Sequence, residues 1–158
     1  MNVWLAPATN GFFLISEEDR NLLVYDWSVV TTSGSKCYVR AQVNGQNVYL
    51  HRLIMGAAKG QEVDHINGDG LDNSRANLRL ANRSQNCANR RDYRSKSGFR
   101  GVYAQPNGKT WQVRISVNNK LVGGGSFSDP EEAARQYDYL ARQYYGEFAT
   151  LNFQMETI

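Results

Sequence analysis

The stretch Val63-Asp64-His65-Ile66-Asn67-Gly68-Asp69 is the most informative part of this 158-residue chain. It is followed by Leu71-Asp72-Asn73, by Asn77-Leu78-Arg79 and by Gln85-Asn86. An unperturbed imidazole has a pKa near ~6.5, so a histidine beside a carboxylate can accept a proton from water at neutral pH. Carboxylate and amide oxygens are ligands that Mg²⁺ and Mn²⁺ accept. The segment therefore predicts hydrolysis assisted by a divalent metal ion.

The order and spacing of these residues resemble the HNH endonuclease family, in its phage-type homing branch with asparagine at the third motif position. That pattern is Asp-His, then Asn-Leu-Arg twelve residues after the histidine, then a helical asparagine nine residues later, which here gives Asp64-His65, Asn77 and Asn86. The resemblance implies a strand–strand–helix (ββα-metal) finger around one Mg²⁺ or Mn²⁺ ion. In it His65 is the general base, Asp64 and Asn86 are metal ligands, and Asn77 braces the loop near the scissile phosphate.

Several polar residues around this motif have a plainer interpretation. The Asx residues that follow His65 are typical turn formers, and turn formation is the favoured role for Asn67, Asp69, Asp72 and Asn73. His51 lies in the apolar run Leu50-His51-Arg52-Leu53, which favours a packed histidine that supports the site over a direct role. A calcium loop is not supported, because the run from Asp64 lacks the acidic twelfth position of an EF-hand.

Positive charge is concentrated in one part of the chain, although the net charge is only +3. Between Arg75 and Arg114 there are ten basic residues and one acid, Asp92, so this segment carries 10 − 1 = +9. Aromatic residues are interleaved with the basic ones, which favours a nucleic-acid partner over a solvated basic face. Within and just before the metal finger's helix, the residues expected to contact DNA are Arg79, Arg83, Arg90 and Arg91.

The C-terminal stretch predicts three strands and one helix. The strands are expected at Gly101–Gln105, Thr110–Val117 and Lys120–Phe127. Asp129 is placed to cap the helix, Pro130 suits its first position, and Glu132 has the spacing of a capping box. Apolar and small residues then recur at helical spacing, so one helix face should pack on the sheet.

This stretch looks like an AP2 DNA-binding domain, in which a three-stranded antiparallel sheet backed by a helix enters the major groove. The markers are Arg100-Gly101-Val102, Gly108-Lys109 with Trp111, Gly125-Ser126-Phe127, Glu132-Ala133-Ala134 and Leu151-Asn152-Phe153. The chain departs from the plant pattern by an inserted Thr110, by Asn107 in place of an aromatic residue, and by Gly123-Gly124 in place of Trp-Leu. The resemblance implies DNA contacts by Arg100, Tyr103, Gln105, Lys109, Trp111 and Arg114, although packing of Trp111 in the core is the alternative.

The whole chain is accordingly predicted to be α+β with four segments. These are a strand-rich extension (1–47) with a hairpin at Asn44-Gly45, the HNH nuclease (48–92), a linker (93–98) and the AP2-like domain (99–158). We find no signal peptide and no apolar run of the ~20 residues that a membrane span needs. Cys37 and Cys87 are expected to be reduced thiols, which together with the resemblance suggests the cytoplasm of a bacterial or phage-infected cell.

Two functions compete at this point. The first is a monomeric, metal-dependent DNA endonuclease without a small-molecule cofactor, which nicks double-stranded DNA because one base and one metal ion cut one strand. The second is a DNA-binding regulator on an HNH fold that no longer cuts. The joint presence of Asp64, His65 and Asn86 favours the enzyme.

Overall fold

The computed structural model describes residues 2–32, 36–89 and 95–153. It divides into two compact units, Met1–Arg83 and Ser84–Ile158. Both units combine small sheets with few helices, so the predicted α+β class is confirmed. The predicted linker lies partly outside the described residues, and the domain bounds derived from the sequence stay a prediction. Among the described residues, no helix combines the length and apolar composition needed to cross a membrane.

The first unit is built from three small sheets. In its described part the strands are β1 (Val3–Ala8), β2 (Gly11–Ser16), β3 (Ser28–Thr31), β4 (Cys37–Val43), β5 (Gln46–Tyr49), β6 (Glu62–His65), β7 (Asp72–Asn73) and β8 (Leu78–Ala81). The sheets have the orders β1-β2-β7, β3-β4-β5 and β6-β8. All neighbouring strands are antiparallel except β2 and β7, which pair in parallel. Helix α1 (Leu50–Ile54) and the 3-10 segments Glu17–Val24 and Arg75–Asn77 connect them.

The hairpin predicted at Asn44-Gly45 is confirmed. Both residues have positive φ, 51° and 77°, which closes β4 onto β5 in a two-residue turn. One apolar core then joins the hairpin to the N-terminal strands, and its fully buried members are Phe13, Ile15, Val39 and Leu50. Residues 1–47 therefore share a core with the segment that carries the HNH motif.

The loop that precedes β7 passes very close to β4. A Cβ atom on Gly70 would lie 2.1 Å from the carbonyl oxygen of Cys37 and 2.8 Å from the Tyr38 ring. Only glycine permits this approach. The approach brings Tyr38 towards the residues of the motif.

The second unit contains a three-stranded antiparallel sheet with one helix packed against it. Its strands are β9 (Val102–Ala104), β10 (Trp111–Val117) and β11 (Lys120–Phe127), in the order β11-β10-β9, followed by α3 (Pro130–Tyr145) and a 3-10 turn at Gly146–Phe148. The short helix α2 (Arg83–Ala88) begins at the last residue of the first unit. The predicted strands agree with these bounds to within one or two residues.

The cap predicted for α3 is confirmed. Its N-cap Asp129 accepts a hydrogen bond from the Glu132 N–H at 2.9 Å, and Pro130 begins the helix. Small side chains, Ala133, Ala134 and Ala141, let the helix pack closely on the sheet. A Cβ atom on Gly124 would lie 2.6 Å from Val113 and from Leu140, so this departure from the plant pattern has a packing reason.

Candidate active site and nucleic-acid interface

Asp64 and His65 occupy the end of β6, which pairs with β8 so that Asp64 faces Arg79 and His65 faces Leu78. Adjacent residues in a strand point to opposite faces of the sheet. Both side chains are nevertheless buried, with 5% and 6% of their surface exposed. The end of β6 thus places a carboxylate and an imidazole side by side in the chain, both shielded from bulk water.

The carboxylate of Asp64 is bound by Arg79 across the hairpin. Nε of Arg79 donates to Asp64 Oδ2 at 2.9 Å, and Nη2 lies 2.8 Å from the same oxygen. The two side chains are only 13% and 5% exposed, so the pair is buried. Arg79 was predicted from the sequence to contact DNA. In the structure its guanidinium neutralises and orients Asp64.

His65 belongs to a cluster of rings that the sequence did not reveal. Its ring centroid lies 5.0 Å from that of His51 and 6.0 Å from that of Tyr38, and His51 and Tyr38 lie 5.6 Å apart. Tyr49 also packs on His51, at 5.6 Å. His51 comes from α1, Tyr38 from β4 and Tyr49 from β5, so with β6 the cluster joins four elements of the first unit.

Both imidazoles are held in the neutral form. Burial lowers the pKa of His51 to about 3, and electrostatic interactions with His65 and Arg52 act in the same direction. Burial also lowers the pKa of His65, against the opposing effects of Asn73 and of neighbouring carboxylates, first among them Asp64. A neutral imidazole can accept a proton at pH 7, which is the form that a general base requires.

Asn77 braces the loop between β6 and β8. Its Oδ1 accepts the Asn67 N–H at 2.9 Å, and its Nδ2 donates to the carbonyl oxygen of Asp72 at 2.8 Å. Asp69 and Asp72 accept backbone N–H groups two residues further on, as turn-forming residues do. The turn role predicted for Asn67, Asp69 and Asp72 is confirmed.

Asn73 differs from its neighbours in the loop because it is fully buried. Parallel pairing of β7 with β2 encloses it, and its Oδ1 has no hydrogen-bond partner among the described residues. Its Nδ2 donates to the carbonyl oxygen of Gly70 at 3.4 Å. The sequence indicated only a turn residue here, since the burial of Asn73 depends on strands that lie about sixty residues apart.

The residues present suit a hard, hydrated cation better than zinc. Within residues 2–32, 36–89 and 95–153, no group of three His, Cys, Asp or Glu side chains is arranged to hold a metal ion. Zinc sites need three or four such ligands, whereas Mg²⁺ and Mn²⁺ are satisfied by one carboxylate with amide oxygens and water. Asp64 offers such a carboxylate in the first unit, and Asn86 offers such an amide, half-buried in α2 of the second unit.

The outward face of the second unit's sheet carries a compact polar patch. Tyr103 is 45% exposed and is paired with Gln112 on the neighbouring strand. Nε and Nη2 of Arg114 both donate to Gln112 Oε1, at 2.9 and 2.6 Å, and the Arg114 guanidinium carbon lies 5.4 Å from the Tyr103 ring centroid. Gln112 was not predicted from the sequence as a DNA contact, although alternation along β10 places it on the same face as Arg114.

The remaining residues predicted to bind DNA have different surroundings. Lys109 is exposed in the turn after β9, and Gln105 begins that turn by accepting the Gly108 N–H. Trp111 is half-buried and packs against the core of the second unit. Arg83 is exposed, whereas Arg90 and Arg91 lie outside the described residues.

Two basic residues in the described part of the highly charged segment are neutralised by acids from elsewhere in the first unit. Arg79 pairs with Asp64 as described, and Arg75 binds Asp19 through Nε and Nη2 at 2.8 and 2.7 Å. A further contact joins Arg75 to Glu18 at 3.0 Å, and the Asp19 hydrogen bond raises the pKa of Arg75. The charge presented by this segment is therefore smaller than its residue count suggests.

Comparison with known proteins agrees with the two resemblances found in the sequence. Residues 48–94 match the family model described as HNH endonuclease. A protein of Acanthamoeba polyphaga mimivirus, named as an uncharacterized HNH endonuclease, is 33% identical over 90 residues, which make up 57% of this chain and 46% of that protein. An HNH endonuclease domain at residues 48–94 is thereby confirmed.

Plant proteins with AP2/ERF and B3 domains are also similar in sequence to part of the chain. An AP2/ERF and B3 domain-containing transcription repressor of Arabidopsis thaliana is 38% identical over 60 residues, 38% of this chain and 16% of that protein. An AP2/ERF and B3 domain-containing protein of Oryza sativa subsp. japonica is 44% identical over 57 residues, 36% of this chain and 15% of that protein. The chain spans less than half the length of each of these three relatives.

Proposed function

Starting from the HNH endonuclease domain at residues 48–94, we propose that the chain is a metal-dependent DNA endonuclease that hydrolyses phosphodiester bonds and nicks one strand of duplex DNA. The observation that carries this proposal is the buried imidazole of His65 next to the carboxylate of Asp64, which Arg79 orients. Hydrolysis of a phosphodiester needs a deprotonated water and a cation on the anionic phosphate. These two side chains suit those two needs.

His65 takes the proton from the attacking water, and its neutral form at pH 7 suits it to do so. The ring of His51 packs against that imidazole and restricts its orientation. Asp64 and Asn86 would hold the metal ion, Mg²⁺ or Mn²⁺, with Asn86 assigned from its spacing in the motif. The bound ion would supply positive charge to the phosphate.

Asn77 links Asn67 to Asp72 and so braces the loop that follows Asp64 and His65. Its proposed place near the scissile phosphate rests on the motif. A monomer with one such site cuts one strand at a time, which is the reason for proposing a nick.

The AP2-like second unit would bind the DNA target. Its outward face presents an arginine, an amide and an aromatic ring, Arg114, Gln112 and Tyr103, and arginine and amide side chains are the groups that read base edges in the major groove. Lys109 lies exposed in the turn after β9 and suits a phosphate contact. Gln105, Trp111, Arg83, Arg90 and Arg91 complete the proposed DNA-binding set.

A second candidate is a DNA-binding regulator that does not cut. The specific observation in its favour is the buried Arg79–Asp64 ion pair, because an arginine already neutralises the carboxylate that a metal ion would need. The two candidates predict the same DNA binding and opposite outcomes when a metal ion is added.

The deciding experiment uses duplexes selected for binding to the full chain from a random DNA pool, cloned into a supercoiled plasmid. With Mg²⁺ or Mn²⁺ the wild-type protein should convert the plasmid to the open circular form, and EDTA should stop the conversion. His65→Ala and Asp64→Asn should bind the plasmid and lose nicking by at least ~100-fold, the scale at which loss of acid–base catalysis is felt.

Asp26→Asn is the matched control for Asp64→Asn, because Asp26 is an exposed aspartate of the first unit outside residues 48–94. It should nick as the wild type does. Tight binding of the selected duplexes without a strand break, with either metal ion, would establish the regulator.

A further inference from the structure

Helix α2 is too short to hold its shape without tertiary contacts. It has six residues, Arg83–Ala88, and isolated helices of fewer than ~12 residues are marginal in water. The last carbonyl groups of any helix also lack partners within the helix. The position of Asn86 in the middle of α2 therefore depends on what holds the helix ends.

Those ends are held by the second unit, to which residues from Ser84 onward belong. At the start of the helix, Ser84 Oγ accepts the Asn118 N–H at 3.1 Å. At its end, Nη2 of Arg100 donates to the carbonyl oxygens of Ala88 at 3.0 Å and Cys87 at 3.3 Å. Helix α2 lies within the HNH match at residues 48–94, and both of its ends are held by residues of the second unit.

Arg100 is itself fixed from the other side. Its Nε donates to the Tyr137 hydroxyl of α3 at 2.7 Å. Its backbone N–H donates to Asn152 Oδ1 at 2.6 Å, and Asn152 is bound in turn by the buried carboxylate of Asp138. Burial raises the pKa of Tyr137, so its hydroxyl stays protonated and neutral beside the guanidinium. Arg100 is therefore fixed by Tyr137 and Asn152 while it binds the end of α2.

A guanidinium suits this place for two reasons. Its fork of N–H groups can serve Tyr137 and the helix carbonyls at once, which a lysine ammonium on a flexible stem does less well. Its positive charge also interacts favourably with the negative C-terminal end of the helix dipole. Both effects keep the last turn of α2 formed.

We propose that Arg100 is a positioning residue, which holds the C-terminal end of α2 and thereby places Asn86 for metal binding. This inference rests on the proposed function, in which Asn86 is a metal ligand. It gives Arg100 a role different from the DNA contact that the AP2 resemblance implied. It also makes the second unit a structural support of the catalytic helix, in addition to a DNA-binding module.

The test compares Arg100→Ala with Arg114→Ala in the full chain. The two arginines lie in the same unit, and only Arg114 lies on the outward face with Tyr103 and Gln112. Three quantities are measured: hydrogen exchange of residues 83–89 without metal or DNA, Mn²⁺ affinity by titration calorimetry, and affinity for a selected duplex by fluorescence anisotropy. Nicking at saturating DNA across a range of Mn²⁺ concentrations is recorded as well.

For Arg100→Ala we expect exchange in residues 83–89 to accelerate by at least ~10-fold and Mn²⁺ affinity to fall by ~10-fold, the scale typical when a group supporting a metal ligand is lost. Excess Mn²⁺ should restore part of the nicking rate, and duplex affinity should change by less than ~3-fold. Arg114→Ala should lower duplex affinity and leave both the exchange of residues 83–89 and the Mn²⁺ affinity unchanged. Arg100→Lys should lie between Arg100→Ala and the wild type.

Tyr137→Phe removes the hydroxyl that anchors Arg100 and keeps the packed ring, so it tests the same idea if Arg100→Ala fails to fold. Unchanged exchange in residues 83–89 for both variants, or a loss of duplex affinity larger than the loss of Mn²⁺ affinity, would overturn the inference. If the wild type binds Mn²⁺ and DNA and does not nick, the proposed function fails, and the exchange and calorimetry results still decide the role of Arg100.

Discussion

Replacement of Arg79 by methionine tests whether Asp64 depends on its ion pair. The substitution keeps a long apolar side chain on β8 and removes the guanidinium that binds Asp64 Oδ2 through two nitrogens. The carboxylate, with 5% of its side chain exposed, would then lose its arginine partner in a buried place. We expect the first unit to be substantially destabilised in the absence of metal ions.

The size of the effect follows from the burial of the pair. Removing one partner of a buried ion pair costs ~3–5 kcal/mol, because the remaining charge stays desolvated. Arg79 is 13% exposed and Asp64 has further interactions, so we take the lower end, about 3 kcal/mol. With a urea dependence of about 1.5 kcal/mol per molar, the unfolding midpoint should fall by about 2 M.

The assay is urea unfolding in EDTA followed by tryptophan fluorescence. Trp4 and Trp27 lie in the first unit and Trp111 in the second, so all variants carry Trp111→Phe to restrict the signal to the first unit. The double variant Asp64→Leu with Arg79→Met should regain most of the lost stability, because it removes both charges. The Asp64→Leu single variant completes the cycle, and the coupling energy should be at least about 2 kcal/mol.

Arg20→Met is the control, because Arg20 pairs with Glu17 at 3.2 Å on the surface, where both side chains are about half exposed. Its loss of stability should stay below about 1 kcal/mol. If Arg79→Met is no more destabilising than Arg20→Met, or if the double variant is worse than Arg79→Met alone, the buried ion pair does not stabilise the site.

The other predictions use the same unfolding assay. Arg75→Gln removes the two-nitrogen contact with the buried Asp19 and should lower the free energy of unfolding by about 2 kcal/mol, less than Arg79→Met because Arg75 is 42% exposed; an unchanged midpoint would contradict this. The folded pKa of His51, about 3, lies below its unfolded value of ~6.5. The neutral imidazole is therefore compatible with the fold above pH ~6.5, and folding stability is lost as the pH falls from there towards 3. Between pH 7 and 4.5 the wild type should lose about 2 kcal/mol that His51→Gln does not lose, and parallel pH profiles would refute the assignment. Gly70→Ala should be strongly destabilising because its Cβ would lie 2.1 Å from a carbonyl oxygen of β4, whereas Gly123→Ala, which meets nothing within 4 Å, should be mild; equal effects would mean that the loop can move away.

Features that depend on neighbouring residues could be predicted from the sequence. The cap and first turn of α3 depend on Asp129, Pro130 and Glu132, and the β4–β5 turn depends on Asn44 and Gly45. Each of these structures is specified within a few residues of chain, so local propensity suffices. The family resemblance was accessible for a related reason, since the order and spacing of the motif residues are themselves sequence properties.

Contacts between distant segments could not be predicted in this way. The ring cluster around His65 needs Tyr38 and His51 from other elements, and the burial of Asn73 needs β2 beside β7. The composition of these segments does not indicate that their side chains or strands come together. The supporting residues of the candidate site therefore emerge only once the chain is folded.

The stretch around Asp64 and His65 separates what the sequence determines from what the tertiary structure determines. By itself the sequence determined which residues could carry the chemistry, because residue type and spacing define a base, a metal ligand and their order along the chain. Only the tertiary structure decided that Arg79 neutralises Asp64 and that Arg100 holds the end of α2, although both arginines looked like DNA contacts. The physical reason is that an ion pair or a helix cap is satisfied through space, by partners that a count of charges along the chain does not identify.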